Sequence, residues 1–302
     1  NTGASAASAG TAGAAPRRRR GRLGGWLALA PFLFIVAVGL VAPTIAIAIG
    51  AFRQTDPFTD VTTTTTANVS AAVQGGYRTA MYGSLKLALV TAVLGAIVGV
   101  LLAYAIVTGG SSLLRRATLT ASGVLANFGG VPLAFAFIAT IGNAGLVTMW
   151  LHDFFGDDAT LHLYSFGGLA IVYLYFLVPL VVIVVTPALD GIRPQWSEAA
   201  ANLGATRWQY WRMVGGPLLA PPVTAAALLL FCGALSAFAT AQAMVGATVP
   251  LITLQIANVL SGNVGPGQEG IGDALALEMI VIVGVAMVVH HLVQRRTARW
   301  LA

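Results

Sequence analysis

Few residues in this 302-residue chain are equipped for covalent or acid–base chemistry. Cys232 is the only cysteine, so neither an intrachain disulfide nor a CxxC metal site can form. The histidines are His152, His162 and the adjacent pair His290 and His291, and they fit no HExxH pattern and no zinc spacing. Lys86 is the only lysine and lies between Leu85 and Leu87, which excludes a GxxxxGK(S/T) phosphate loop. Gly265, Gly267 and Gly270 fit GxGxxG, but a dinucleotide site needs a strand before that motif and a βαβ unit around it. A flexible connection is the better reading. Three polar residues in apolar surroundings remain as candidates: Asn127, Gln242 and Glu278. They would line a polar path through a membrane, bond between helices or, for Glu278, reach back to water.

The elements that must position these groups follow from composition. Nine apolar residue types make up 57% of the chain and charged residues only 9%, against roughly 25% charged in an average soluble domain. A soluble enzyme, a disordered protein and a nucleic-acid binder are thereby excluded, and the lipid bilayer is the implied solvent. Residues 1–25 read as a disordered basic tail, with Arg17, Arg18, Arg19, Arg20 and Arg22 next to the first apolar stretch. Residues 26–302 read as an all-α integral membrane domain of six spans, at about 26–52, 82–107, 117–141, 168–189, 223–245 and 271–293. The third is interrupted by Gly129, Gly130 and Pro132, and the second carries Gly95 and Gly99 at a spacing that lets helices approach. Residues 53–78, 142–166 and 246–270 read as connections. Asn68-Val69-Ser70 fits a glycosylation acceptor, a tripeptide common by chance.

Six spans put both termini on one side. With the termini in the cytoplasm, every basic residue except Arg53, Arg78 and Lys86 falls inside, out of 16. Among the ten acids, Asp190 and Glu198 fall inside. This distribution fixes the orientation by the positive-inside rule and makes the net charge of +6 a topology signal.

The one long inside loop, residues 190–217, reads as two short helices. Pro194 opens the first, Gly204 ends it, and Thr206 caps a second that runs to Met213 and stops before Gly215, Gly216 and Pro217. Trp208, Tyr210 and Trp211 are aromatic anchors of the kind found at interfaces. Glu198, Ala199 and Ala200 followed by Gly204 resemble the EAAxxxG signature of the permease subunits of bacterial ATP-binding-cassette importers. Nine residues then lead to Val214-Gly215-Gly216-Pro217, similar to the IxLP end of that signature with Gly216 in place of Leu.

That resemblance, over about residues 82–302, implies the six-helix type I importer permease fold in the bacterial cytoplasmic membrane. It implies a coupling function for Glu198, Ala199, Ala200, Gly204, Arg207, Trp208 and Pro217, docking onto a separate ATPase. The implied partners are two ATPase subunits, a second permease subunit (this chain or a homologue), an extracytoplasmic solute-binding protein and the lipid bilayer, with no nucleic acid. No cofactor or metal is expected in this chain, ATP and Mg being held by the ATPase, and no catalytic residue is expected. The stretches 126–135 and 250–256 look more like polyamine, iron(III), thiamine and phosphonate permeases than sugar permeases. A sugar permease of the same superfamily and a secondary transporter are the rivals, the latter lacking a visible inverted repeat.

Overall fold

The computed structural model describes residues 22–56, 58–59, 61–155, 162–246, 248–262 and 267–298. Residues 1–21 of the basic tail, Asp157, Asp158, Arg299 and part of the GxGxxG stretch lie outside them. The chain divides into two units, residues 1–46 and 47–302. From Arg22, α1 (Arg22–Val36) passes through a π-helical turn (Ala37–Val41) and on into α2 (Ala42–Ala51), within which the first unit ends at Ala46. Side chains such as Phe32, Phe34, Ile35 and Leu40 are exposed, as suits a helix whose solvent is hydrocarbon.

Among the described residues six helical segments are long and apolar enough to span a membrane: Leu29–Ala51, Gly75–Thr108, Val131–Phe154, Phe166–Asp190, Arg207–Ser236 and Glu269–Arg295. After the end of α2 the second unit continues with a hairpin of β1 (Arg53–Thr55) and β2 (Thr62–Thr64), antiparallel, followed by α3 (Ala67–Ala72). The expected loop at 53–78 is therefore partly ordered. Asn68 is buried, and its Nδ2 donates to the Arg53 carbonyl at 2.8 Å, tying helix to hairpin.

The second span, α4, runs Gly75–Thr108 and starts seven residues before the expected 82. Its first two turns carry Tyr77, Arg78 and Thr79, so apolar counting alone misses them. At 34 residues it is about 51 Å long, well beyond the ~30 Å of hydrocarbon.

The expected third span at 117–141 is corrected. An amphipathic α5 (Ser112–Asn127) ends at Phe128, and α6 (Val131–Ile141) restarts after Gly130, whose φ is +76°. Only glycine adopts that conformation without strain, and Pro132 sits in the first turn, where its missing N–H costs nothing. After α6 comes α7 (Leu146–Phe155), inside the stretch expected to be a loop.

The fourth span is α8 (Phe166–Asp190). The expected fifth span at 223–245 is also corrected: α11 (Gly216–Ser236) breaks at Ala237 and resumes as α12 (Ala239–Met244). A further helix, α13 (Ile252–Leu260), occupies the expected Gly-rich connection and precedes the sixth span, α14 (Glu269–Ala298).

The core lies where α4, α8 and α11 meet, and includes Leu87, Ala92, Tyr173, Leu177, Val181 and Leu230. Burying apolar surface does little to drive helices together in lipid, so close packing must. Gly95 and Gly99 permit it: a Cβ on the first would come within 2.6 Å of Leu230 Cδ2, and on the second within 2.5 Å of Val181 Cβ. Connector α13 is pinned to α4 through the Ile252 amide, which donates to Ser84 Oγ at 2.8 Å.

Candidate functional site

The segment after α8 forms two short helices joined by a tight turn. Arg193 caps α9 (Pro194–Asn202) with an extended backbone, and Pro194 occupies its first turn. The exit is a Schellman turn: the Ala205 amide donates to the Ala200 carbonyl and the Gly204 amide to the Ala201 carbonyl, both at 2.9 Å. Gly204 carries the required φ of +80°. Nothing lies within 4 Å of the position a Cβ would take there, so the glycine is present for its backbone conformation and not for space.

Thr206 then starts α10 (Arg207–Tyr210) with a reciprocal capping box. Its Oγ1 accepts from the Gln209 amide at 3.3 Å, and its own amide donates to Gln209 Oε1 at 2.7 Å. Four hydrogen bonds within ten residues fix the angle between α9 and α10.

The expected stop before Gly215 is corrected. A π-helical turn, Trp211–Gly215, carries α10 directly into α11, closed by the Gly216 amide donating to the Trp211 carbonyl. Gly215 and Gly216 make the wide turn possible, because a Cβ on either would come within 2.6 Å of Trp211 atoms.

This element has two unlike faces. Tyr210 is buried, Trp211 is half-buried, and the Trp211 ring meets Tyr104 of α4 edge-on at 5.6 Å. On the other face Glu198, Ala199 and Arg207 are exposed, together with Leu203 (88% exposed), Trp208 (73%) and Met213 (75%). Ala200 and Pro217 are half-buried. Exposed large apolar groups beside a carboxylate form a surface suited to a protein partner. Arg115 of α5 pairs with Asp190 at the end of α8, which anchors the root of the loop.

The polar path candidates separate into two places. Asn127 ends α5 at the first helix break, exposed, with Nδ2 donating to the Gly123 carbonyl at 2.8 Å. Gln242 is exposed on α12, just past the second break. The structure joins these breaks: the Gly130 amide donates to Thr240 Oγ1 at 3.0 Å, and the Tyr173 hydroxyl donates to the Ala237 carbonyl at 2.7 Å. Irregular backbone inside hydrocarbon persists only where such groups are satisfied or line a wet cavity.

Tyr173 and Thr240 were not among the residues singled out by sequence, since neither belongs to a motif. Glu278 stands elsewhere. It lines a cavity of ≈ 250 Å³ with Arg78, Met81 and Tyr82 of α4, and its Oε2 is buried without a hydrogen-bond partner. Lys86 lies over the Phe166 ring at 5.0 Å. No cluster able to hold a metal ion occurs among the described residues.

Comparison with known proteins places these elements in a lineage. Residues 145–299 match the family described as binding-protein-dependent transport system inner membrane component. The ferric transport system permease protein FbpB of Actinobacillus pleuropneumoniae is 30% identical over 123 residues, which is 41% of this chain and 18% of that protein. The sulfate transport system permease protein CysT of Escherichia coli is 39% identical over 75 residues, 25% of this chain and 27% of that one. The E. coli thiamine permease ThiP is 25% identical over 159 residues, 52% of this chain and 29% of the relative. The matched stretch thus spans less than a third of each of these relatives. A bacterial ABC transporter that imports alginate has the same fold, with a TM-score of 0.68 at 19% identity over 92% of this chain and 96% of that chain.

Proposed function

Because the chain belongs to the binding-protein-dependent transport system inner membrane component family, we propose that it is the membrane-spanning permease subunit of an ATP-driven solute importer. The observation that carries this reading is the rigid α9–α10 turn, which presents Glu198, Leu203, Trp208 and Met213 outward from a helix continuous with a membrane span. A load applied to that turn is transmitted along α11 to the break at Ala237.

In this reading the termini and the α9–α10 turn lie in the cytoplasm, following the basic residues. Glu198, Ala199, Ala200, Gly204, Arg207, Trp208 and Pro217 form the contact with an ATPase subunit. Two such subunits bind ATP and Mg, a second permease subunit completes the path, and an extracytoplasmic solute-binding protein delivers cargo. This chain performs no covalent chemistry. The cargo is a small charged solute of the size of ferric ion, an oxyanion or thiamine. Its passage is across the joined breaks, where Asn127 and Gln242 are exposed.

Co-purification of the chain with its ATPase, followed by uptake in proteoliposomes, tests the assignment. Glu198→Arg and Gly204→Asp should weaken ATPase retention and cut ATP-dependent uptake while the protein still inserts. Unchanged uptake in both variants, or uptake driven by an ion gradient with the chain alone, would overturn it.

A further inference from the structure

Each of the two joined helix breaks carries an exposed phenyl ring. Phe128 is the first residue beyond α5 and is 43% exposed; Phe238 stands at the start of α12 and is 39% exposed. Each lies two residues from the hydrogen bond between Gly130 and Thr240. Among the described residues neither ring pairs with another aromatic ring, and neither belongs to the buried core. Polar neighbours share the surface: Asn127 and Ser236 end the helices before the breaks and Gln242 follows the second, all three exposed. Charge is missing from it. The stretches that meet here, residues 117–151, 163–189 and 213–268, contain no Asp, Glu, Lys, Arg or His. An apolar constriction without charge empties of water and blocks ions, yet it conducts once its walls part.

Resting on the importer reading, we propose that Phe128 and Phe238 are the apolar seal of the cargo path. With no cargo in transit the two rings close the path to water and small ions, against a facing wall supplied by the second permease subunit. The Tyr173 hydroxyl holds the Ala237 carbonyl and so sets the direction in which Phe238, the next residue, leaves the break. The bond from the Gly130 amide to Thr240 makes the two rings move together. Asn127 and Gln242 are uncharged lining beside the seal, which keeps the dry step short without giving small ions a fixed charge to bind.

The test uses the assembled importer in liposomes. Potassium efflux is recorded without ATP or cargo, and ATP-dependent uptake is recorded in the same preparation. Both rings lie outside the core, so their variants should insert. Phe128→Ala combined with Phe238→Ala should raise efflux by about tenfold, and Phe238→Asn alone, which puts a polar group in the seal, should leak by a similar order. Phe128→Leu combined with Phe238→Leu keeps an apolar wall and should stay at the parent rate. Efflux at the parent rate in both the Ala pair and the Asn variant overturns the seal. Equal leakage from Phe34→Ala, an exposed ring on the first span, overturns it too, because the leak would then reflect general loosening. A leaking Ala pair beside a parent that shows no ATP-dependent uptake keeps the seal and fails the importer reading instead.

Discussion

The α9–α10 turn and the paired breaks near Gly130 and Ala237 both interrupt helices, but by different means. The turn is built from its own residues: Gly204 supplies the left-handed backbone, and Thr206 and Gln209 close the capping box. The break at Ala237 contains neither glycine nor proline and is held from outside, by the Tyr173 hydroxyl on α8 and by Thr240 against Gly130. An interruption made locally survives whatever the neighbouring helices do. One made by tertiary hydrogen bonds lasts only while those helices keep their register, so it can respond when they move.

That contrast can be broken in several ways. The largest expected effect is Glu198→Arg, which reverses charge on the exposed face. ATP-dependent uptake should fall by more than tenfold, with the melting temperature of the detergent-solubilised chain unchanged. A drop in stability matching the loss of uptake would refute the separation between the turn's surface and its scaffold.

Next comes Tyr173→Phe, which leaves the Ala237 carbonyl without its donor and should cost about 1–3 kcal/mol of stability. Thermal unfolding checks it, and a melting curve like the parent's would show that Tyr173 does not hold the break. Thr206→Ala removes one cap and should cost about 1 kcal/mol, with hydrogen exchange rising across α10 while α12 is unaffected. The smallest effect belongs to Gly204→Asn. Asn tolerates the left-handed region and the site is open, so uptake should stay near the parent level, whereas Gly204→Val should lose several-fold. Equal behaviour of Asn and Val would mean that φ at this position is not what matters.

How much of this was legible in the sequence follows the same division. The number of spans came from apolar composition, and the turn from Pro194, Gly204 and Thr206, because those signals reside in the residues that form the structure. The third-span break is visible as Gly129, Gly130 and Pro132, but the larger part of α5 reads as span because the apolar face of this amphipathic helix masks its polar one. The Ala237 break was invisible, since Ala234 to Thr240 reads as ordinary helix and its cause sits on α8. The early start of α4 and the helix α13 were missed because polar first turns and short connector helices contribute little to apolar periodicity.

The Asn68-Val69-Ser70 tripeptide shows the converse, a motif present in sequence but closed in structure. The Asn68 side chain is buried and donates to Arg53, so its amide nitrogen is not offered for modification.

The π-helical turn at Trp211–Gly215 also sets the phase of the helix. A π turn holds one residue more than the α-helix it interrupts, and each residue advances an α-helix by about 100°. Rewinding Trp211–Gly215 as regular α-helix, with no residue removed, would spare the strain of the wide turn. It would also swing Arg207 and Trp208 about a quarter-turn around the axis of α11, so that the aromatic anchor facing Tyr104 and the face carrying Trp208 no longer point where they do. The irregularity is thus an angular setting: it decides which side of a membrane helix is presented beyond the membrane.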